Sequence, residues 1–292
     1  MDEKIYIIGG WNIPDIIHPE MHLKTNNVEI YNIKNNSWSS AASLPQKLEY
    51  VGAAGYNGKL YVVGGDFGLR QYSSNKLFIY DPVSNKWIEG KPMPTARSAL
   101  TAAFIDGILY AVGGQDLTGV PVNTNEAYDP KTDTWTTKAP MPSPRDHIAS
   151  AVVDGKLYVI GGRTASSNSS SSSSWANLNS NEMYDPISDT WTTKAPMPSN
   201  RSSLAATPAA DRKIYVFGGE DATAATTATF NNNEKYDPQT DKWSSEVPMP
   251  TARHGLAAVL DSITNSIYVI GGGIESACCS SNINEIFLVG RS

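Results

Sequence analysis

Residues 141–162 read MPSPRDHIASAVVDGKLYVIGG, and residues 181–198, beyond a Ser-rich loop, read NEMYDPISDTWTTKAPMP. Apolar side chains alternate over Ile148 to Val153 and run on from Leu157 to Ile160. Asp154-Gly155 between them suits a tight turn, so two hairpin-linked strands are expected. Gly161-Gly162 ends the second strand where a side chain is not tolerated. Met183 and Tyr184 lie on a third strand that stops at Asp185-Pro186, because proline has no N–H for a ladder and aspartate favours a turn. A fourth strand begins at Trp191.

This order of signals repeats along the chain. Glycine pairs that end a tyrosine-containing apolar strand fall at Gly9-Gly10, Gly64-Gly65, Gly113-Gly114, Gly161-Gly162, Gly218-Gly219 and Gly271-Gly272, with successive starts 55, 49, 48, 57 and 53 residues apart. After a variable loop comes Tyr31, Tyr80-Asp81-Pro82, Tyr128-Asp129-Pro130, Tyr184-Asp185-Pro186, Tyr236-Asp237-Pro238 or Phe287. Tryptophans follow at Trp38, Trp87, Trp135, Trp191 and Trp243. Four strands per repeat of roughly 50 residues, without helical periodicity, match the blade of a propeller.

With the Met-Pro-x-x-Arg that precedes the next repeat, these motifs make the chain resemble the kelch family over almost its whole length. The resemblance implies an all-β, six-bladed kelch-type β-propeller: a single domain over 1–292, with repeats at about 1–43, 44–91, 92–139, 140–196, 197–247 and 248–292. Strands are lettered A to D from the channel outward. Residues 5–10, 28–33 and 37–41 supply B, C and D of the first blade, and complete blades follow at about 47–89, 96–137, 144–193 and 200–245. The last segment supplies A near Arg253 to Asp261, B near Ile267 to Ile270 and C near Asn284 to Val289. The terminal blades are therefore expected to have three strands each. A five-bladed ring would orphan the hairpin 266–290, so six blades are preferred.

Composition narrows the function. With 40% hydrophobic and 9% aromatic residues the chain can bury a core. A net charge of −6 without a Lys/Arg cluster argues against a nucleic-acid surface. No run of 18 apolar residues is present, so no membrane span is expected. Met1-Asp2-Glu3-Lys4 leads straight into a strand without the pattern of a secretory signal, which makes the cytoplasm the expected compartment. Cys278 and Cys279 are adjacent and cannot form an ordinary disulfide framework.

The repeated residues read as structural. Each tryptophan is expected to fill space between neighbouring blades, where its removal costs about 3–5 kcal/mol. Arg97, Arg145, Arg201 and Arg253, each four residues after a methionine, recur with Glu126, Glu182, Glu234 and Glu285, which suggests one buried or half-buried ion pair per blade.

Function is sought where repeats differ. Uniform Asn57-Gly58, Asp106-Gly107, Asp154-Gly155 and Asp-Pro turns emerge at one end. The B–C loops, at about 11–26, 66–74, 115–124, 163–180, 220–232 and 273–283, emerge with the D–A loops at the other. Aligned on the glycine pairs, Glu49, Ser98, Asp146, Ser202 and His254 are equivalent, one place after the repeated arginine or, at Leu48, its replacement. Peptide-binding members of the family often use this position, so the resemblance implies a mouth lined by these five. With His147, Trp175, Arg97, Arg145, Arg201 and Arg253 they form the candidate binding set.

Other constellations are weaker. His18 and His22 with His254 offer a metal reading, since the first and last blades adjoin in a closed ring. Pro19 spoils a helical His-x-x-x-His, so solvated loop histidines are preferred and no metal or other cofactor is expected. A hydrolytic role for Asp146-His147 is set aside because adjacent strand residues face opposite ways. Asp66, Asp116, Glu220-Asp221 and Glu275 follow glycine pairs as a negative rim or, more simply, as turn residues in water. Trp175, with Trp11, Phe67 and Phe230, lies outside the repeated pattern and suits a partner anchor.

Two functions remain. The preferred one is a non-catalytic module that recognises a protein or peptide with the B–C/D–A loop face and channel mouth. The alternative is a small-molecule enzyme on a kelch scaffold, sugar isomerase-like or metal-dependent, with Glu49, Arg97, Asp146, Arg201 or His254 as candidates.

Overall fold

The computed structural model describes residues 3–12, 23–68, 72–165, 175–221, 228–275 and 278–290. The architecture is the expected all-β one, six propeller blades in chain order, the first and last three-stranded. Among the described residues no helix is long and apolar enough to cross a membrane. The chain packs as two compact units, one of residues 1–120 and 124–138 and the other of 121–123 and 139–292.

The first unit holds three blades. Lys4–Ile8, Val28–Asn32 and Ser37–Ser40 are strands B, C and D of the first. Strands A to D of the second are Gly52–Tyr56, Lys59–Val63, Leu77–Asp81 and Lys86–Gly90, and those of the third are Thr101–Ile105, Ile108–Val112, Asn125–Asp129 and Thr134–Thr137. In the second unit, Ala149–Val153, Lys156–Ile160, Asn181–Asp185 and Thr190–Thr193 form the fourth blade. Ala205–Pro208, Ile214–Phe217, Asn233–Asp237 and Lys242–Ser245 form the fifth. Ala257–Asp261, Ser266–Ile270 and Asn284–Leu288 are A, B and C of the sixth.

The residue types explain the layers. B strands such as Lys156–Ile160 and Ile214–Phe217 are buried on both faces and read as continuous apolar runs rather than alternations. A strands are rich in Gly and Ala because neighbouring A strands crowd together: a Cβ on Gly52 would stand 2.9 Å from the Ala102 Cβ. The Asn-Gly and Asp-Gly turns take left-handed angles at both residues, φ 49 and 84 at Asp106-Gly107, as the primed hairpin turn requires.

Four of the D-strand tryptophans work with the C-strand tyrosine in one repeated clamp, which within each unit fastens a blade to the preceding one. Trp87, Trp135, Trp191 and Trp243 lie 4.9–5.1 Å from Tyr80, Tyr128, Tyr184 and Tyr236. Their indole N–H groups donate, all at 2.8 Å, to the carbonyls of Ala42, Lys91, Ala139 and Ala195. The N–H groups of those same four residues donate to Asn85, Asp133, Asp189 and Asp241 at 2.8–2.9 Å. The acceptor oxygens also receive the tyrosine hydroxyls at 2.6–2.7 Å. Tyrosine, aspartate or asparagine, and tryptophan thus act as one clamp on one residue, which lies four places after the tryptophan of the preceding repeat.

The expected Arg–Glu pairs are present. Arg97, Arg145, Arg201 and Arg253 are at most 1% exposed and meet Glu126, Glu182, Glu234 and Glu285 at 2.9, 2.7, 2.7 and 2.8 Å. Each arginine also donates to backbone carbonyls of the B strand or the glycine pair, for example Arg97 to Gly113 and Ala111.

Candidate functional site

The backbone repeats one device at the end from which the B–C loops leave. Glu49, Ser98, Asp146, Ser202 and His254 each form an isolated antiparallel bridge with the residue after a glycine pair, namely Asp66, Gln115, Arg163, Glu220 and Gly273. Close approach there needs glycine: a Cβ on Gly162 would come within 2.6 Å of the Asp146 carbonyl. The residue after each bridging position, Tyr50, Ala99, His147, Ser203 or Gly255, has a left-handed backbone with φ of 51 to 60. Within the units these residues link successive blades, Ala99 N–H to Tyr50 carbonyl, Ser203 N–H to His147 carbonyl and Gly255 N–H to Ser203 carbonyl. This turn also corrects the A strand expected from Arg253, which begins at Ala257.

In the second unit the device carries a dense polar cluster. Asp146 Oδ1 receives Arg163 Nε at 2.9 Å and lies 2.7 Å from His147 Nδ1. Burial opposes the Asp146 charge, but His147 and Arg163 outweigh it and hold the carboxyl below its ordinary range. The Arg163 guanidinium lies 4.5 Å from the centroid of Trp175, a cation–π contact that fixes both side chains. In the next blade Glu220 accepts from the Ser203 hydroxyl at 2.8 Å, and its carbonyl accepts from Asn177 Nδ2 at 2.8 Å. His254 has Nδ1 3.1 Å from the Gly273 carbonyl and Nε2 3.7 Å from Glu220. Burial lowers the His254 pKa from 6.5, partly offset by Glu220.

The first unit carries the same device with different chemistry. Glu49 pairs with Lys24 at 3.0 Å. The Ser73 hydroxyl sits 3.1 Å from that of Ser98, which also accepts from Gln115 Nε2 at 3.1 Å. Asp116 closes its own loop by accepting from Thr118 and Val120 N–H groups at 2.8 and 3.1 Å.

Several expectations change. Asp146 and His147 do meet, because the left-handed backbone at His147 turns the ring onto its neighbour's carboxylate and breaks the strand alternation on which their separation rested. Asp66 and Glu220 form no solvated rim: they are 0% and 5% exposed and occupy the bridges. The five equivalent residues are themselves buried, Glu49 at 8% exposure being the most open, so they lie beneath the loop side chains. Arg97, Arg145, Arg201 and Arg253 are buried and paired with their glutamates inside the blades. His18 and His22 lie outside the described residues, and among the described residues no group of three or more His, Cys, Asp or Glu side chains could hold a metal ion. Sequence reasoning missed Arg163, Glu220 and Gln115 as partners of the bridging residues. The available signal was their shared place directly after a glycine pair.

A family model described as the KLHDC2/KLHL20/DRC7 Kelch-repeats domain matches residues 1–219, and one for the Kelch motif matches residues 201–250. The chain belongs to the kelch-repeat family. Among curated relatives, Kelch-like protein 35 of Mus musculus is 40% identical over 95 residues, covering 32% of this chain and 16% of that protein. Kelch-like protein 4 of Homo sapiens is 39% identical over 79 residues, 27% of this chain and 10% of that protein. Kelch domain-containing protein 7A of Mus musculus is 29% identical over 92 residues, 32% of this chain and 11% of that protein. The matches span less than a fifth of these relatives' own length. In this kelch chain the repeated residues hold blades together, and within each unit the dissimilar ones lie at the bridges.

Proposed function

We propose that this kelch chain is a non-catalytic binding module that recognises a protein or peptide with the loop side chains at its bridge end. One observation carries the reading. A backbone device that is the same five times over displays Glu, Ser, Asp, Ser and His, opposite Asp, Gln, Arg, Glu and Gly. Constant geometry with varied chemistry at equivalent places suits recognition of an irregular surface. The polar groups of the second unit support it further, since Asp146, His147 and Arg163 hold one another in place and Glu220 is held by Ser203, rather than leaving a lone acid or nucleophile. Arg163 and Trp175, both half-buried, are residue types that dominate interface energetics, and they arrive pre-ordered.

The test takes a protein partner isolated with the native chain and measures its affinity for variants. Trp175→Ala, which removes a loop side chain worth over 1 kcal/mol, and His254→Ala, which removes a support beneath the loops, are each expected to weaken binding by about fivefold or more. Ile187→Ala, in a uniform turn at the opposite end and 93% exposed, is expected to leave affinity unchanged. Unchanged affinity for both site variants, or a loss confined to Ile187→Ala, would overturn the proposal.

A further inference from the structure

In the second unit a histidine nitrogen and a carboxylate face each other across a gap, beside the bridge of His254 with Gly273. We propose that His254 and Glu220 form a seat for the side-chain ammonium of a lysine on the protein partner. The proposal rests on the reading of the bridge end as a recognition surface and names the group recognised there.

The tautomer of His254 sets the geometry. The ring is 7% exposed, and its Nδ1 lies 3.1 Å from the Gly273 carbonyl. That nitrogen therefore carries the proton of the neutral ring and leaves Nε2 as an acceptor. Glu220 Oε2 stands 3.7 Å from Nε2, too far for a direct hydrogen bond, and among the described residues Nε2 has no other hydrogen-bond partner. Glu220 is anchored from its other side: its Oε1 accepts from the Ser203 hydroxyl and its backbone carbonyl from Asn177 Nδ2, both at 2.8 Å. Burial lowers the His254 pKa from 6.5, so at neutral pH the ring does not fill the gap with a proton of its own.

The surroundings are acidic and short of donors. Glu220, the half-buried Asp221 and the exposed Glu275 lie on the ribbons of this end. Among the described residues Arg163 is the one cation of those ribbons, and Asp146 already matches its charge at 2.9 Å. Asp146 Oδ2 and Asn177 Oδ1 are buried with no hydrogen-bond partner, so acceptors outnumber donors.

The occupant follows from these demands. A primary ammonium has three donors and no acceptor, so it can give one N–H to His254 Nε2 and one to Glu220 Oε2 while meeting the negative charge. Among the described residues no group of three or more His, Cys, Asp or Glu side chains could hold a metal ion, which favours an organic cation. Lysine carries its compact charge on a thin four-carbon stem that can pass between loop side chains to a seat at this depth, whereas the guanidinium fork of arginine is wider.

The probe is the peptide acetyl-Gly-Gly-Lys-Gly-Gly-amide, titrated into the full chain carrying isotope-labelled histidine, with the ring nitrogens of His254 followed by NMR. A saturable shift of Nε2 is expected. Norleucine in place of the lysine, or trimethyllysine, which keeps the charge but has no N–H, should weaken binding about tenfold or more, and so should Glu220→Gln, which keeps an acceptor for Ser203. Glu220, His147 and Arg163 are the charged or titratable groups facing His254, and peptide affinity should fall as pH drops through the titration of the His254 ring itself. No saturable shift, or an equal one with trimethyllysine, would overturn the proposal. Partner affinity lost in Trp175→Ala while the lysine peptide leaves His254 unmoved would keep the recognition surface and remove the ammonium seat. A His254 shift with partner affinity unchanged in both Trp175→Ala and His254→Ala would keep the seat but overturn its assignment to a partner's lysine.

Discussion

Removing one partner of the buried Arg145–Glu182 pair should cost more than removing both. Arg145 is 0% exposed and donates to Glu182 at 2.7 Å, to the Ser143 hydroxyl at 2.6 Å and to the Val159 carbonyl at 2.9 Å. Glu182→Leu strands a buried guanidinium, and Arg145→Met strands a buried carboxylate. Each single variant is expected to lose about 3–5 kcal/mol. A unit of this size shifts by about 2–4 °C per kcal/mol, so the melting temperature should fall by roughly 6–20 °C. The double variant Arg145→Met/Glu182→Leu holds no stranded charge. Its cost is that of the Val159 carbonyl left without its donor and the Ser143 hydroxyl left without the Arg145 donor and the Glu182 acceptor, roughly 1–3 kcal/mol. Urea unfolding followed by tryptophan fluorescence, with a thermal scan on the same four proteins, completes the double-mutant cycle. A double variant that loses the sum of the two singles would refute the reasoning, since the two residues would then act independently.

Three further outcomes are expected. Trp191→Phe keeps a ring against Tyr184 but leaves the Ala139 carbonyl without its indole donor, at a cost of about 1–3 kcal/mol, whereas Trp38→Phe, at a ring that is 47% exposed, should stay within about 0.5 kcal/mol in the same unfolding assay. Because burial lowers the His254 pKa below 6.5, the unfolded chain binds the proton more readily than the folded one. Stability should therefore fall as pH drops below about 6.5, and His254→Gln should flatten that part of the thermal-shift profile. Gly162→Ala places a Cβ against the Asp146 carbonyl at φ 95, whereas Gly155→Ala, at φ 70, meets nothing within 4 Å. The first should lower the melting temperature clearly more than the second, which pays only for its backbone angle, about 1–2 kcal/mol.

The blades were legible in the sequence because their signals are local and repeated. Leu157 to Ile160, Asp154-Gly155, Tyr184 and Trp191 each announce a strand, a turn or a ring by residue type alone, and six repetitions in phase remove the ambiguity of any one. The Arg–Glu pairs were legible for the same reason. The equivalence of Glu49, Ser98, Asp146, Ser202 and His254 came from counting, and the five isolated bridges reproduce it. Their burial was not legible, since polar residues beside a loop suggest solvent and only the partners across the bridge, Arg163 or Glu220, explain their enclosure. Nor was the contact of Asp146 with His147, because no residue type marks the left-handed place: Tyr50, Ala99, His147, Ser203 and Gly255 share a backbone angle and nothing else. The short ribbons beyond the glycine pairs, such as Arg163–Ala165 with Trp175–Asn177, have no alternation long enough to read.

Amide hydrogen exchange on the chain with and without a bound protein partner reads out whether selectivity resides at the bridge end. Protection is predicted at 146–147, 163–165, 175–177, 202–203, 220–221 and 254–255, with no change at the turns 154–155, 186–189 and 238–241. Protection confined to those turns, with the bridge end exchanging as in the free chain, would contradict it.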